Sequence, residues 1–156
     1  MHPFNIAEAG PGDLADVAEL FRAYAAELPV DLALQGFEPE LAGLPGDYAP
    51  PKGTLLIARG ADAAALGCIG LRPLGDRICE MKRLYVQPAA RQTGLGKALA
   101  GAVIEVARQR GYRDMKLDTL PQLTQAVSLY RSLGFALVPP YGDHPYEGTL
   151  CFGRML

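Results

Sequence analysis

Residues 79–111 commit this chain to mixed α/β structure. Cys79-Glu80-Met81-Lys82-Arg83-Leu84-Tyr85-Val86-Gln87-Pro88 is rich in strand formers at its end and is closed by proline. From Lys97 to Arg110 the chain carries Leu99, Ala102, Val103, Val106 and Ala107, in phase with Leu95, at the three-and-four spacing of one helix face. Gly111 then stands where a helix C-cap belongs. Between strand and helix lies Arg91-Gln92-Thr93-Gly94-Leu95-Gly96-Lys97. A loop of small residues that opens a helix presents unpaired backbone N–H groups and the positive end of the helix dipole, which suits a phosphate. The expected ligand is an anion, and a phosphorylated cofactor fits that expectation.

A glycine pair ahead of a helix is also a common surface turn, and two phosphate motifs built on such loops make definite demands. A P-loop needs glycine five residues before Gly96 and Ser or Thr after the lysine, where this chain has Arg91 and Ala98. The dinucleotide fingerprint needs a third small residue three after Gly96, where Leu99 sits. What remains is Arg/Gln-x-x-Gly-x-Gly/Ala directly after a strand ending in Leu84-Tyr85-Val86. This pattern resembles the coenzyme A loop of the GCN5-related N-acetyltransferases (the GNAT superfamily). Downstream, Ala126-Val127-Ser128-Leu129-Tyr130-Arg131-Ser132-Leu133-Gly134-Phe135 resembles that family's second signature, a helix bearing Leu-Tyr and ending in Leu-Gly-Phe. The similarity covers roughly residues 53 to 138, with one helix and one strand between the motifs, as the family requires.

The resemblance implies a GNAT fold, a central mostly antiparallel sheet with helices on both faces, in one domain spanning residues 1–156. It implies an acetyl-CoA-dependent N-acetyltransferase of the small stand-alone bacterial type, acting on a primary amine of a small molecule or of a protein. Acetyl-CoA would lay its pyrophosphate on the backbone N–H groups of Gln92, Thr93, Gly94, Leu95, Gly96 and Lys97, with Arg91 adding a charge-assisted contact. Its pantetheine arm would pair with the backbone of Leu84, Tyr85 and Val86 as an added strand, a backbone N–H near Tyr85 facing the thioester oxygen. A lysine-like amine with a pKa of about 10.4 must lose a proton before it attacks, and the departing thiolate leaves more easily if an acid protonates it. By the resemblance, Tyr130 is the acid and Glu80 the base, direct or through a water. A core tyrosine and a strand carboxylate paired with a cation are the structural alternatives, and Asp118 and Glu147 are reserve carboxylates. Strict alternation puts Glu80, Lys82, Leu84 and Val86 on one face, unless a bulge resets it. Many family members carry asparagine seven residues before the tyrosine; this chain has Leu123, so a polar contact would come from Thr119, Gln122, Thr124 or Gln125.

Composition excludes some classes. At 156 residues with 49% hydrophobic and 21% charged residues, the chain suits a single soluble core, and a formal charge of -2 gives no broad attraction to nucleic acid or anionic membrane. No run of about twenty apolar residues exists, and no basic stretch precedes a hydrophobic one near Met1; cytoplasmic residence is the expectation. The three cysteines, Cys68, Cys79 and Cys151, lie far apart in apolar contexts and read as buried free thiols, with no metal site implied by His2 or His144. A homodimer is implied by resemblance alone.

The remaining elements follow from periodicity and punctuation. Strands are expected at 4–7, 54–59, 65–72, 78–87, 113–118, 135–138 and 149–155, and helices at 13–28, with Asp13 as N-cap, at 94–110 and at 122–133. Residues 29–52, with five prolines and three glycines, read as a long connection with a turn of helix at Phe37 to Leu44, a candidate cover for the acceptor. Phe37 to Pro51, with Asp47 and Tyr48, and the Pro139 to Glu147 loop are expected to frame the acceptor amine. Two other classes stay open: an acyl-CoA-binding module without turnover, and a nucleotide-binding protein, which the missing Walker residues disfavour.

Overall fold

A computed structural model describes residues 4–142 and 146–156; His2 and Asp143 to Pro145 of the expected acceptor frame lie outside them. The elements are β1 (Phe4–Glu8), α1 (Leu14–Glu27), α2 (Phe37–Ala42), β2 (Thr54–Gly60), β3 (Ala65–Gly75), β4 (Ile78–Val86), α3 (Leu95–Gln109), β5 (Asp114–Thr119), α4 (Thr124–Ser132), β6 (Ala136–Leu137) and β7 (Leu150–Met155). They build one seven-stranded sheet in the order β1-β2-β3-β4-β5-β7-β6, antiparallel except where β4 meets β5.

Alternation along the central strands divides the interior into two cores. In β2, Leu56 and Ala58 face a core shared with α3 and α4, whereas Leu55 and Ile57 face a second core built on α1 and α2. Helix α3 buries Leu95, Leu99, Val103, Ile104 and Ala107 in the first core, as its spacing requires.

Both motif helices end in the same way. After α3, Gly111 at φ 88° lets Tyr112 N–H donate to Ala107 O at 3.1 Å and Gly111 N–H to Arg108 O at 3.0 Å. After α4, Phe135 N–H donates to Tyr130 O and Gly134 N–H to Arg131 O, both at 3.1 Å. These are Schellman caps, which satisfy orphan carbonyls and fold the residue beyond the glycine back onto the last turn. The second cap gives Leu133-Gly134-Phe135 a physical purpose: Phe135 packs edge-on against Tyr130 with ring centroids 6.1 Å apart, which fixes the tyrosine ring.

Three local expectations change. Asp13 does not cap α1 through its side chain; its carboxylate takes the Gly10 N–H at 2.9 Å and an Arg59 guanidinium N–H at 2.7 Å. Residues 29–52, expected as a long connection with a turn of helix, form a packed cover that includes α2, because Leu32, Phe37, Leu41 and Tyr48 are buried in the second core. Tyr48 lies on the sheet where Gly70 leaves room, since a Cβ there would meet its ring at 2.7 Å. Finally, strand alternation breaks at a bulge in β4. Cys68 pairs with Tyr85 and Gly70 with Lys82, so two steps on β3 match three on β4, and Arg83 takes up the extra residue at φ 62°. Met81 before the bulge and Leu84 and Val86 after it therefore all meet the first core, while Tyr85 meets the second.

Candidate active site

The bulge also decides where the sheet opens. Parallel pairing of β4 with β5 covers Ile78↔Asp114, Cys79↔Met115 and Glu80↔Lys116 and then stops. Beyond it, β5 stays bound to β7 along its whole length, from Asp114↔Met155 to Thr119↔Leu150, and β4 stays bound to β3 as far as Val86. Bulges bend and over-twist a strand, so two strands held by different outer neighbours part in the middle of the sheet. The gap is a groove of about 590 Å³ running from the Arg91–Gly96 loop, past Leu84, Tyr85 and Val86, along the start of α4 to Tyr130.

One wall of this groove is an unpaired strand edge. Gln87 N–H donates to Leu66 O at 2.8 Å on the β3 side, so alternation turns the amide groups of Val86 and Leu84 to the open side. The added-strand edge is thus offered by Leu84 and Val86, while Tyr85, expected to aim its N–H at the ligand, points that group toward β3. At the far end, Gln92 and Gly94 adopt φ 64° and 84°, and Ala98 N–H makes its helical bond to Gly94 O at 3.0 Å. Ahead of that bond, the N–H groups of Leu95, Gly96 and Lys97 point out of the helix start. A Cβ on Gly94 would meet nothing within 4 Å, so this position is open to whatever approaches the loop. Thr93 Oγ1 donates to Ala90 O at 2.6 Å and secures the turn, Leu95 is a core residue, and the Lys97 side chain is exposed.

Arg91 has a partner the sequence did not reveal. Its guanidinium donates to Glu27 of α1 at 2.6 and 2.9 Å and to Val86 O at 3.0 Å, and Tyr85 Oη donates to the same glutamate at 2.6 Å. The Tyr85 hydroxyl and then Arg91 hold the Glu27 carboxyl below its usual pKa, against the opposing effect of burial. The Tyr85 phenol is pushed up to about 12, by burial first and then by Glu27.

Tyr130 lies where the groove narrows into an inner pocket lined also by Tyr24, Lys82, Asp118, Leu123 and Tyr146. Its ring is 8% exposed, and among the described residues no hydrogen bond engages its hydroxyl. Burial, reinforced by Tyr24 and Asp118, raises its pKa, so the phenol keeps its proton and can donate it. Leu123 is the N-cap position of α4 and lines both spaces, an apolar contact where resemblance would place an amide; Gln122, Thr124 and Gln125 line the groove beside it.

Glu80 is placed differently from a base facing the ligand. It is 2% exposed and lines neither space, and its oxygens accept Arg72 Nε at 2.7 Å and Tyr141 Oη at 2.6 Å. The reserve carboxylate Asp118 does reach the inner pocket, whereas Glu147 is exposed. Of the expected acceptor frame, Tyr146 lines the inner pocket and donates to Asp31 O, joining the β6–β7 loop to the 29–52 cover above it. Tyr48 is instead buried in the second core, where the cover meets the sheet at Gly70.

Sequence reasoning missed Tyr24, Glu27, Leu28 and Lys82. The first three stand on the last turn of α1 and its exit, and their one signal was an apolar face that continues to the helix end. All three cysteines are free and buried, and no metal-binding cluster occurs among the described residues. No helix among them is long and apolar enough to cross a membrane.

The sequence model of the Acetyltransferase (GNAT) family matches residues 17–135. An N-acetyltransferase of Schizosaccharomyces pombe, itself uncharacterized, is 42% identical over 96% of this chain and 94% of its own length. The structure is similar to that of a GNAT-family acetyltransferase from Staphylococcus aureus, with a TM-score of 0.82 at 20% identity over 97% of this chain and 98% of the other. It is also similar to an acetyltransferase from Salmonella typhimurium whose structure holds its cofactor acetyl-CoA, with a TM-score of 0.71 at 20% identity over 98% and 94% of the two chains.

Proposed function

Because this chain belongs to the Acetyltransferase (GNAT) family and is an acetyl-CoA-dependent N-acetyltransferase, we propose that it acetylates a primary amine of a small molecule by direct attack in a ternary complex. The observation that carries this reading is the open edge of β4: one groove joins a phosphate-suited helix start to the buried Tyr130. The loop from Gln92 to Lys97 holds the pyrophosphate by its N–H groups, and Leu84 and Val86 hold the pantetheine arm by theirs. Bound acetyl-CoA supplies the activated acyl group. Arg91 reaches a phosphate by exchanging one of its two bonds to Glu27.

The amine enters from the inner pocket. Its nitrogen forms the new C–N bond, the C–S bond breaks, and Tyr130 Oη–H donates its proton to the departing sulfur. The amine proton passes to Asp118, the carboxylate on the pocket wall. Glu80, held by Arg72 and Tyr141, acts only through an intervening group, and its main effect is to position Tyr141. Isothermal titration with acetyl-CoA and with ATP tests the cofactor assignment: binding of ATP alone would overturn it. Amine-dependent thiol release then tests turnover, and the pH–rate profiles of Glu80→Gln and Asp118→Asn separate the two carboxylates. Loss of the acidic limb in Glu80→Gln alone would return the base role to Glu80.

A further inference from the structure

The inner pocket contains a cation that no counter-ion bonds among the described residues. Lys82 lines the pocket from β4, is mostly enclosed, and makes no hydrogen bond or ion pair among the described residues. Its arginine neighbours are all satisfied: Arg72 by Glu80, Arg83 by Glu40 and Arg91 by Glu27. Glu80 and Glu40, whose charges act on Lys82, are thus bonded to Arg72 and Arg83 instead. Asp118 stands on β5, on the other side of the opening between the strands, and acts on Lys82 by its charge. An enclosed ammonium without a bonded anion is costly. Burial and the charge of Arg83, with a smaller effect from Arg72, lower the Lys82 pKa, against the pull of Glu80 and Asp118. An anion arriving with a ligand would remove that penalty.

We propose that Lys82 Nζ binds a carboxylate on the acceptor, so that the substrate class is a compact amine carrying a carboxylate within a few atoms, such as an amino acid. Lys82 and Asp118 then form a dipolar socket. The carboxylate end rests on Lys82 and the amine end lies toward Asp118 and the Tyr130 end of the groove. The small size of the pocket, about 80 Å³, admits such a head group and leaves the rest of the acceptor toward its mouth. Tyr146, tied to Asp31 O, closes the space from above. The inference rests on the acetyltransferase reading but adds what that reading lacks, a chemical criterion for the acceptor.

The test is steady-state thiol release by the full chain with matched pairs: leucine, leucinamide and 3-methylbutylamine, and phenylalanine with phenylethylamine. The carboxylate-bearing member is expected to show a kcat/KM about tenfold or more above its partners, the effect of one charge-assisted contact, seen mainly in KM. Lys82→Met brings the ratio to near one, and Lys82→Arg restores part of it, a rescue that a merely structural role would not give. Thermal unfolding of each variant reports its fold. Equal or better turnover of the uncharged partners, or a ratio that survives Lys82→Met, overturns the proposal. If no amine is acetylated, equilibrium dialysis of the same pairs against coenzyme A-saturated protein decides, because binding without a Lys82-dependent carboxylate preference also overturns it. An acetyl group found on Lys82 after incubation with acetyl-CoA does the same, since Lys82 would then be a nucleophile. Failure of acetyl-CoA itself to bind in calorimetry sinks the underlying acetyltransferase reading instead.

Discussion

Glu40→Ala is expected to destabilise the protein far more than the loss of one glutamate's contacts suggests. Glu40 on α2 accepts Arg83 Nε and Nη2, each at 2.9 Å, and Tyr48 Oη at 3.0 Å. The Arg83 side chain is 2% exposed, lies over the rings of Tyr24 and Phe37 at 5.6 and 5.4 Å, and sits at the bulge that opens the groove. Removing the carboxylate takes its counter-ion from a buried guanidinium, which costs about 3–5 kcal/mol. For a chain of this size each kcal/mol moves Tm by about 2–4 °C, so the expected fall is roughly 6–20 °C. Adding Arg83→Met to Glu40→Ala should recover more than half of it, since the buried charge without its counter-ion is gone. The pH dependence has a definite sign. Burial raises the Glu40 carboxyl, but Arg83 outweighs it, and the net pKa lies below the ordinary 4.5. The stabilisation is therefore present above about pH 4.5 and is lost as pH falls through the depressed folded value. Thermal scans of the wild type, both single variants and the double variant at pH 7 and pH 4 provide the cycle. A drop of less than about 2 °C in Glu40→Ala, or a double variant no better than the single, would refute the reasoning.

Tyr130→Phe should lower kcat by about a hundredfold or more with Tm nearly unchanged, because no hydrogen bond is lost and the ring still meets Phe135; stopped thiol release read beside a thermal scan checks both. Gly94→Ala meets no protein atom, so its folding cost is the left-handed strain of about 1–2 kcal/mol. A larger loss in the calorimetric affinity for coenzyme A would report a phosphate pressed against that backbone, and an equal or smaller loss would deny it. Glu27→Gln releases Arg91 from a half-exposed pair, and coenzyme A affinity should rise up to about fivefold; no change, or a weakening, would show that the clasp does not compete with the cofactor.

The strand, loop and helix from Cys79 to Gly111 were legible because each rests on local chemistry: β-rich residues, glycines at positive φ and a helix face repeated over fifteen residues. Tyr130 was singled out by the resemblance of residues 126–135 alone; what the structure adds is a physical reason for the Leu-Gly-Phe end, a glycine cap that folds Phe135 onto the tyrosine ring. The bulge at Arg83 was not legible, because it depends on how β4 registers against Cys68 and Gly70 of β3, a relation that alternation within one strand does not encode. The cation partners were hidden for the same reason. Arg91 meets Glu27 across 64 residues and Arg83 meets Glu40 across 43, and nothing near either arginine selects its glutamate. Glu80 was found as a carboxylate, but its burial rests on Arg72 opposite it on β3 and on Tyr141 from far along the chain.

The parting of β4 from β5 has one more consequence. A sheet with a gap between two interior strands is an unfinished sheet, and the N–H groups of Leu84 and Val86 should exchange with solvent deuterium faster than those of their β3-facing neighbours. A bound pantetheine arm would slow that exchange by supplying the missing strand. A ligand at a hundred times its dissociation constant adds about 2.7 kcal/mol to the folded state. The persistence of the folded chain in a cell would then follow the supply of its acyl donor, so that the protein is most durable when it has work to do.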